Sequence, residues 1–176
     1  ETEHALWYFA NIAPALDPLP AMPTKPPGFK AYKQAQVRTA LEAMFGGRCA
    51  YCEATYAHTT AMEIEHYRPK GGVLDDLGVI RKPGYFWLAA SWPNLLASCN
   101  DCNRERRLHL RTKGGDVVKS KSGKANKFPL ASGSPRATGP HDLAAEVPLL
   151  LNPCDDDPTL HLSFRRDGFA EPATTP

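Results

Sequence analysis

Four of the five cysteines fall into two Cys-x-x-Cys pairs, Cys49/Cys52 and Cys99/Cys102, with 46 residues between them. A two-residue gap lets both thiolates of a pair point at one ion, and two pairs complete a tetrahedral set, so the spacing predicts a structural zinc site of four cysteines. Disulfides are the weaker reading for a cytosolic chain, and a redox pair does not account for two motifs of equal spacing. A closed four-thiolate site has no open coordination position. Zinc there closes a long loop and supplies folding free energy, on the order of 10 kcal/mol, but performs no reaction. Between the pairs lies "AMEIEHYRPK", residues 61–70, where two carboxylates, an imidazole, a guanidinium and an ammonium crowd a segment with the rhythm of a β-strand. Cys154 stands alone and is expected to be a packed thiol.

The elements that must position these groups are readable from breakers and periodicity. "AYKQAQVRTALEAMFGG" carries Val37, Leu41, Met44 and Phe45 about one helical turn apart and ends on Gly46 and Gly47, so it predicts a helix that delivers the chain to the first cysteine pair. Residues 61–67 read as a strand and 68–84 as a loop. "YFWLAASW" reads as helical or irregular, and Asn94 precedes a second strand, "LLAS". "CNDCNRERRLHLR" contains no breaker and predicts a helix, followed by a Gly/Ser/Lys-rich loop over 112–127 and turn material over 131–142. "EVPLLLNPCDDDPTLHLSF" predicts a short strand and a last helical turn.

At 176 residues the chain suits one domain with a modest core. Its 17 prolines and 13 glycines point to much irregular structure. No apolar run reaches the roughly 18 residues that span a bilayer, and the acidic start lacks the basic segment of a signal peptide, so a cytoplasmic (bacterial) protein without membrane partners is expected. The sequence begins without Met and ends on "AEPATTP", which predicts that residues are missing from both ends. The net charge of +2 hides an uneven distribution: residues 104–127 hold nine Lys and Arg against two acids. Such a block suits a polyanion such as nucleic acid; a solvated basic loop is the plainer alternative.

The order of cysteine pair, strand with Glu65-His66, Asn94 before a second strand, cysteine pair and Asn103 resembles the HNH nuclease family. The resemblance implies an α+β fold, a small ββα-metal (HNH / His-Me finger) nuclease core stapled by the four-cysteine zinc site, with helical and loop-rich extensions. Its divisions are a proline-rich N-terminal arm over 1–30, the zinc-stapled nuclease core over 31–130 and a C-terminal extension over 131–176. It further implies that His66 is the general base and that Glu65 and Asn103 hold a catalytic Mg²⁺ or Mn²⁺. Asn94 would fix the imidazole through its side chain or neighbouring backbone, and Arg68, Lys70, Arg104, Arg106 and Arg107 are candidate phosphate contacts. Asn103 stands where many members carry His, and other members use Asn there as a metal ligand. Glu63 shares a strand face with Glu65, which makes it a candidate second ligand, but is expected to face solvent. His58, His109, His141 and His161 receive no role.

A narrower resemblance rests on "CAYCE", "IEHYRPKGG", "WPNLLASCNDCN", "KFPL", "EVPLLLNPCDDDP" and "HLSF" followed by "DGF". Together these are similar to the PtuB-like HNH subunit of Septu-type and retron-associated anti-phage systems, over about Cys49 to Phe169. That family implies a toxic nuclease restrained by a PtuA-like ABC-type ATPase, with a retron reverse transcriptase and its non-coding RNA/DNA as further partners in some systems. DNA is the favoured substrate, tRNA the alternative, and a non-catalytic zinc module that binds nucleic acid or the ATPase is the competing class.

Overall fold

A computed structural model describes residues 30–56, 60–112, 114–167 and 169–173; the expected proline-rich arm lies, apart from Lys30, outside the described residues. After a 3-10 turn at Ala31–Lys33, helix α1 spans Ala35–Met44. Leu41 anchors it, fully buried, while Met44 is exposed. Gly46 and Gly47 both take positive φ, the left-handed conformation that ends a helix and that glycine adopts without a Cβ penalty.

Strand β1 (Glu63–His66) pairs antiparallel with β4 (Leu95–Ser98), so that Glu65 faces Leu96 and His66 faces Leu95 across the ladder. Every residue of β4 is buried, as the apolar "LLAS" run requires. α1 lies against β4, and the short helix α2 (Asn100–Asn103) lies against β1. Between the two strands, β2 (Val73–Leu74) and β3 (Ile80–Arg81) form a small hairpin, and 3-10 turns at Phe86–Leu88 and Trp92–Asn94 lead into β4. Tyr67, Tyr85 and Phe128 complete the core, with Phe128 meeting the two tyrosine rings nearly edge-on at 5.2 and 5.5 Å.

The helix expected from Cys99 onward stops at Asn103. Arg104 is extended, and strands β5 (Arg106–Arg111) and β6 (Val117–Ser122) form a two-stranded ribbon where helix and loop were expected. The alternation Arg107-Leu108-His109-Leu110-Arg111 is a period-two pattern, and the β-branched pair Val117-Val118 supplies the partner. Closure of the ribbon depends on Gly123, at φ 99°: a Cβ there would lie 1.9 Å from the Arg104 carbonyl oxygen. Past it, the Lys124 and Ala125 amides donate to the Cys102 and Asn103 carbonyls, so the ribbon's return is fastened onto α2.

The segment beyond Phe128 is bound to the core through Glu146. This buried carboxylate accepts from Tyr85 Oη, the Ala137 amide and Arg68 Nε. A 3-10 helix at Pro158–Leu160 and the exposed hairpin of β7 (Leu162–Phe164) and β8 (Ala170–Pro172) end the described chain, matching the expected tail strand and last turn. Cys154 is exposed rather than packed. The result is a small mixed α+β protein. None of its described helices is long and apolar enough to cross a membrane.

Candidate functional site

The sulfurs of Cys49, Cys52, Cys99 and Cys102 lie within 4.8 Å of one another, and Cys52 and Cys99 are 3.9 Å apart. Four thiolates about 2.3 Å from a tetrahedral zinc stand roughly 3.8 Å from one another, so the set fits an ion of that kind. Local folding makes the cluster. The Cys49 amide donates to the Ala54 carbonyl and the Glu53 amide back to Cys49, closing the first knuckle, with Glu53 at positive φ. The amides of Tyr51, Cys52 and Cys99 point at Cys49 Sγ. The Cys102 thiol donates to Cys49 and holds that thiol far below its ordinary value, to about 3, while Cys102 itself is pushed up. The Ala50 amide donates to the Ala97 carbonyl at 2.8 Å, tying the knuckle to β4.

Beside this centre is a cavity of about 620 Å³ lined by Glu65, His66, Lys70, Asn103, Arg104 and neighbouring residues. His66 is buried at the end of β1. Its Nε2 lies 2.9 Å from the Ala89 carbonyl oxygen, which can only accept, so Nε2 carries the proton and Nδ1 is the basic nitrogen. Lys70 Nζ donates to Nδ1 at 3.1 Å, and Tyr32 packs edge-on against the ring. Burial, then the charges of Lys70 and Lys124, push His66 down to about 3. The imidazole is neutral around pH 7.

Asn94 fixes this end of β1 without touching the imidazole. Its Oδ1 accepts from the Arg68 amide at 2.7 Å, and its Nδ2 donates to the carbonyls of Arg68 and Leu88. The Asn94 carbonyl accepts from the Tyr67 amide. The side chain thus replaces a strand partner for the residues that follow His66.

Glu65 is buried and paired. Lys124 Nζ lies 2.6 Å from its Oε1 and also donates to the His66 carbonyl at 2.8 Å. Burial pushes the Glu65 carboxyl up and the Lys124 ammonium down, and each group restrains the other's shift. Asn103 Nδ2 donates to Glu63 at 2.7 Å, and Arg104 pairs with the same carboxylate. Glu63, expected to face solvent, is therefore the residue that orients Asn103. The shared strand face with Glu65 was the signal for it.

The phosphate-contact candidates divide. Lys70 and Arg104 line the cavity. Arg68 does not: it pairs with buried Glu146 at 3.0 Å and its guanidinium covers the Tyr67, Tyr85 and Phe128 rings, which packs the segment around Glu146 onto the core. Arg106 pairs with Asp101 and, like Arg107, is exposed on the ribbon. Lys124 escaped sequence reasoning, since nothing distinguishes it from other cations in a Gly/Ser/Lys-rich stretch.

No family model matches the chain, and no solved structure matches it. Over 144 residues, 81% of the chain, it is 43% identical to Septu protein PtuB of Bacillus mycoides strain KBAB4, and the match covers 43% of that protein. It is also 28% identical over 127 residues to Septu protein PtuA of the same strain, covering 71% of the chain and 15% of PtuA. The chain thus spans less than half the length of either relative. Over the 144 residues it shares with PtuB, the chain is similar to the PtuB-like Septu proteins.

Proposed function

We propose that the chain is the nuclease part of a Septu-type anti-phage effector: an HNH endonuclease that hydrolyses phosphodiester bonds, with DNA favoured over tRNA, and works with a PtuA-like ABC-type ATPase. The observation that carries this reading is the convergence of His66 Nδ1, Glu65 and Asn103 on one cavity next to the cysteine cluster. Both relatives carry Septu names, which supports the defence setting and the partner.

The residues fit a hard divalent cation. Lys124 engages one Glu65 oxygen and leaves Oε2, and the Asn103 amide, held by Glu63 through its nitrogen, leaves Oδ1 as an acceptor. Two oxygen donors beside an open cavity suit Mg²⁺ or Mn²⁺, which keep several waters. Such an ion, when bound, would stabilise the charge that develops on the phosphate and leaving oxygen. Once Lys70 leaves Nδ1 for the phosphate, His66 takes the proton of the attacking water at Nδ1, its ring held by Ala89 and its strand end by Asn94. Lys70 and Arg104 supply positive charge to the phosphate.

The pairing of Glu65 with Lys124 and of His66 with Lys70 favours one rival, a zinc module that binds without cleaving. The two readings separate on supercoiled plasmid and tRNA, tested in separate reactions with Mg²⁺ or Mn²⁺, with and without the ATPase. Cleavage that falls about 10²- to 10⁴-fold in His66→Gln, at unchanged zinc content, supports the nuclease. Full activity in that variant, or no cleavage under any condition, refutes it.

A further inference from the structure

Opposite residues of an antiparallel ribbon share a face, and alternate residues along each strand do so too. The β5–β6 register sets Arg107 against Lys121, His109 against Lys119 and Arg111 against Val117. One face of the ribbon therefore gathers Arg107, His109, Arg111, Lys119 and Lys121, all of them exposed. The other carries Arg106, Leu108, Val118, Ser120 and Ser122.

This arrangement is unfavourable in isolation. Arg107 and Lys121 are like charges directly opposite each other, which destabilises a strand pair. Lys121 gains relief from Glu105 at 2.9 Å, whereas Arg107, Arg111 and Lys119 form no ion pair with a described residue. β5 and β6 belong to no larger sheet, so the charges do not serve to protect an edge of the core. A polyanion removes the cost.

The ribbon's place narrows the partner. Its first strand begins directly after Arg104 and Glu105, which line the His66 cavity, and its second ends in the turn that carries Lys124 to Glu65. Six residues at about 3.4 Å each give strands of roughly 20 Å. The major groove of B-form DNA, about 12 Å wide, admits a two-stranded ribbon. The major groove of A-form RNA is too deep and narrow for side chains to read.

We infer that the β5–β6 ribbon is a docking arm for duplex DNA, its basic face entering the major groove and setting the phosphate backbone at the His66 cavity. The catalytic purpose of this docking rests on the nuclease reading; the binding itself does not.

The test uses the full chain with zinc, in buffer free of Mg²⁺ and Mn²⁺. Binding to a 20-base-pair DNA duplex and to an RNA duplex of the same sequence is followed by fluorescence anisotropy over a salt series. The unsubstituted chain should prefer DNA. Replacing Arg107, Lys119 and Lys121 together with Gln should weaken DNA binding at least tenfold and make the log–log salt slope shallower by about 2 to 3, near 0.9 per lost phosphate contact. Zinc content and circular dichroism should stay unchanged in that variant. Unaltered affinity and slope, or equal binding and equal loss on RNA, would overturn the docking arm. Hydrolysis of bis(p-nitrophenyl) phosphate by the unsubstituted chain in Mn²⁺ is scored separately. Its absence would count against the nuclease reading while the anisotropy still decides the ribbon.

Discussion

Lys124 and Glu65, 59 residues apart in sequence, meet as a buried ion pair, with Nζ 2.6 Å from Oε1 and side chains only 6% and 7% exposed. The ammonium also holds the His66 carbonyl, so the return of the ribbon fixes the end of β1 from which two proposed catalytic groups project. The pairing turns a remote segment into part of the site's frame.

Breaking one side of such a pair leaves a buried charge uncompensated. Lys124→Met should cost about 3 to 5 kcal/mol, more than either charge contributes as a pair, because desolvation of Glu65 is then unopposed. Adding Glu65→Gln should restore a good part of that loss. Urea unfolding of the two single variants and the double variant measures the coupling, and simple additivity would show that the two groups do not depend on each other.

His66 offers a pH signature. Its imidazole faces Lys70, Lys124, the Ala89 carbonyl and the Tyr32 ring, and is held down to about 3 from an ordinary 6.5. Between those values the unfolded chain binds a proton that the folded chain refuses. Stability from this group is therefore full above about pH 6.5 and is lost as pH falls toward 3. Lys70→Gln removes one lowering charge, so the folded-state titration should move up toward 6.5 and the acid loss should shrink. NMR titration of the ring in buffer without Mg²⁺ or Mn²⁺ tests this, and an unmoved midpoint would place the whole shift on burial.

The parts legible in the sequence are those set by neighbours along the chain. The α1 stripe, the Gly46-Gly47 stop, the apolar "LLAS" strand and both cysteine knuckles carry their signals within a few residues. The parts that were not legible depend on distant pairing. Arg68 reads as free for phosphate because its partner Glu146 lies 78 residues on. The ribbon was hidden for a related reason: "NRERRLHLR" lacks a breaker, so helix propensity and strand alternation competed locally. The fastening of Lys124 and Ala125 onto the Cys102 and Asn103 carbonyls favours the strand. Lys124 became a site residue only through that closure.

Asn94 should tolerate no loss of its amide. Asp at this position keeps the acceptor for the Arg68 amide but sets an oxygen against the Arg68 and Leu88 carbonyls that now receive hydrogen bonds. The expected cost is about 2 to 4 kcal/mol, exceeding that of Asn94→Ala, where the conflict is absent. Thermal unfolding of both variants reads the order; the reverse order would mean that the Nδ2 donations matter less than the lost packing.

The cysteine cluster should be a condition of folding rather than an accessory. It joins the knuckle at Cys49, tied to β4 through Ala50, to the helix that presents Asn103, and so sets the second cavity wall relative to the first. Because an unfolded chain has no preformed site, the binding free energy of the ion enters folding directly, on the order of 10 kcal/mol. Purified protein should contain one zinc per chain. Chelation, or Cys49→Ser or Cys102→Ser, should abolish the cooperative unfolding transition. Cys154→Ser should leave it intact, because Cys154 is exposed and lies outside the four-sulfur cluster. A metal-free chain that still unfolds cooperatively would mean that the β1–β4 core stands without the staple, and that the cavity's geometry is set by the ribbon closure alone.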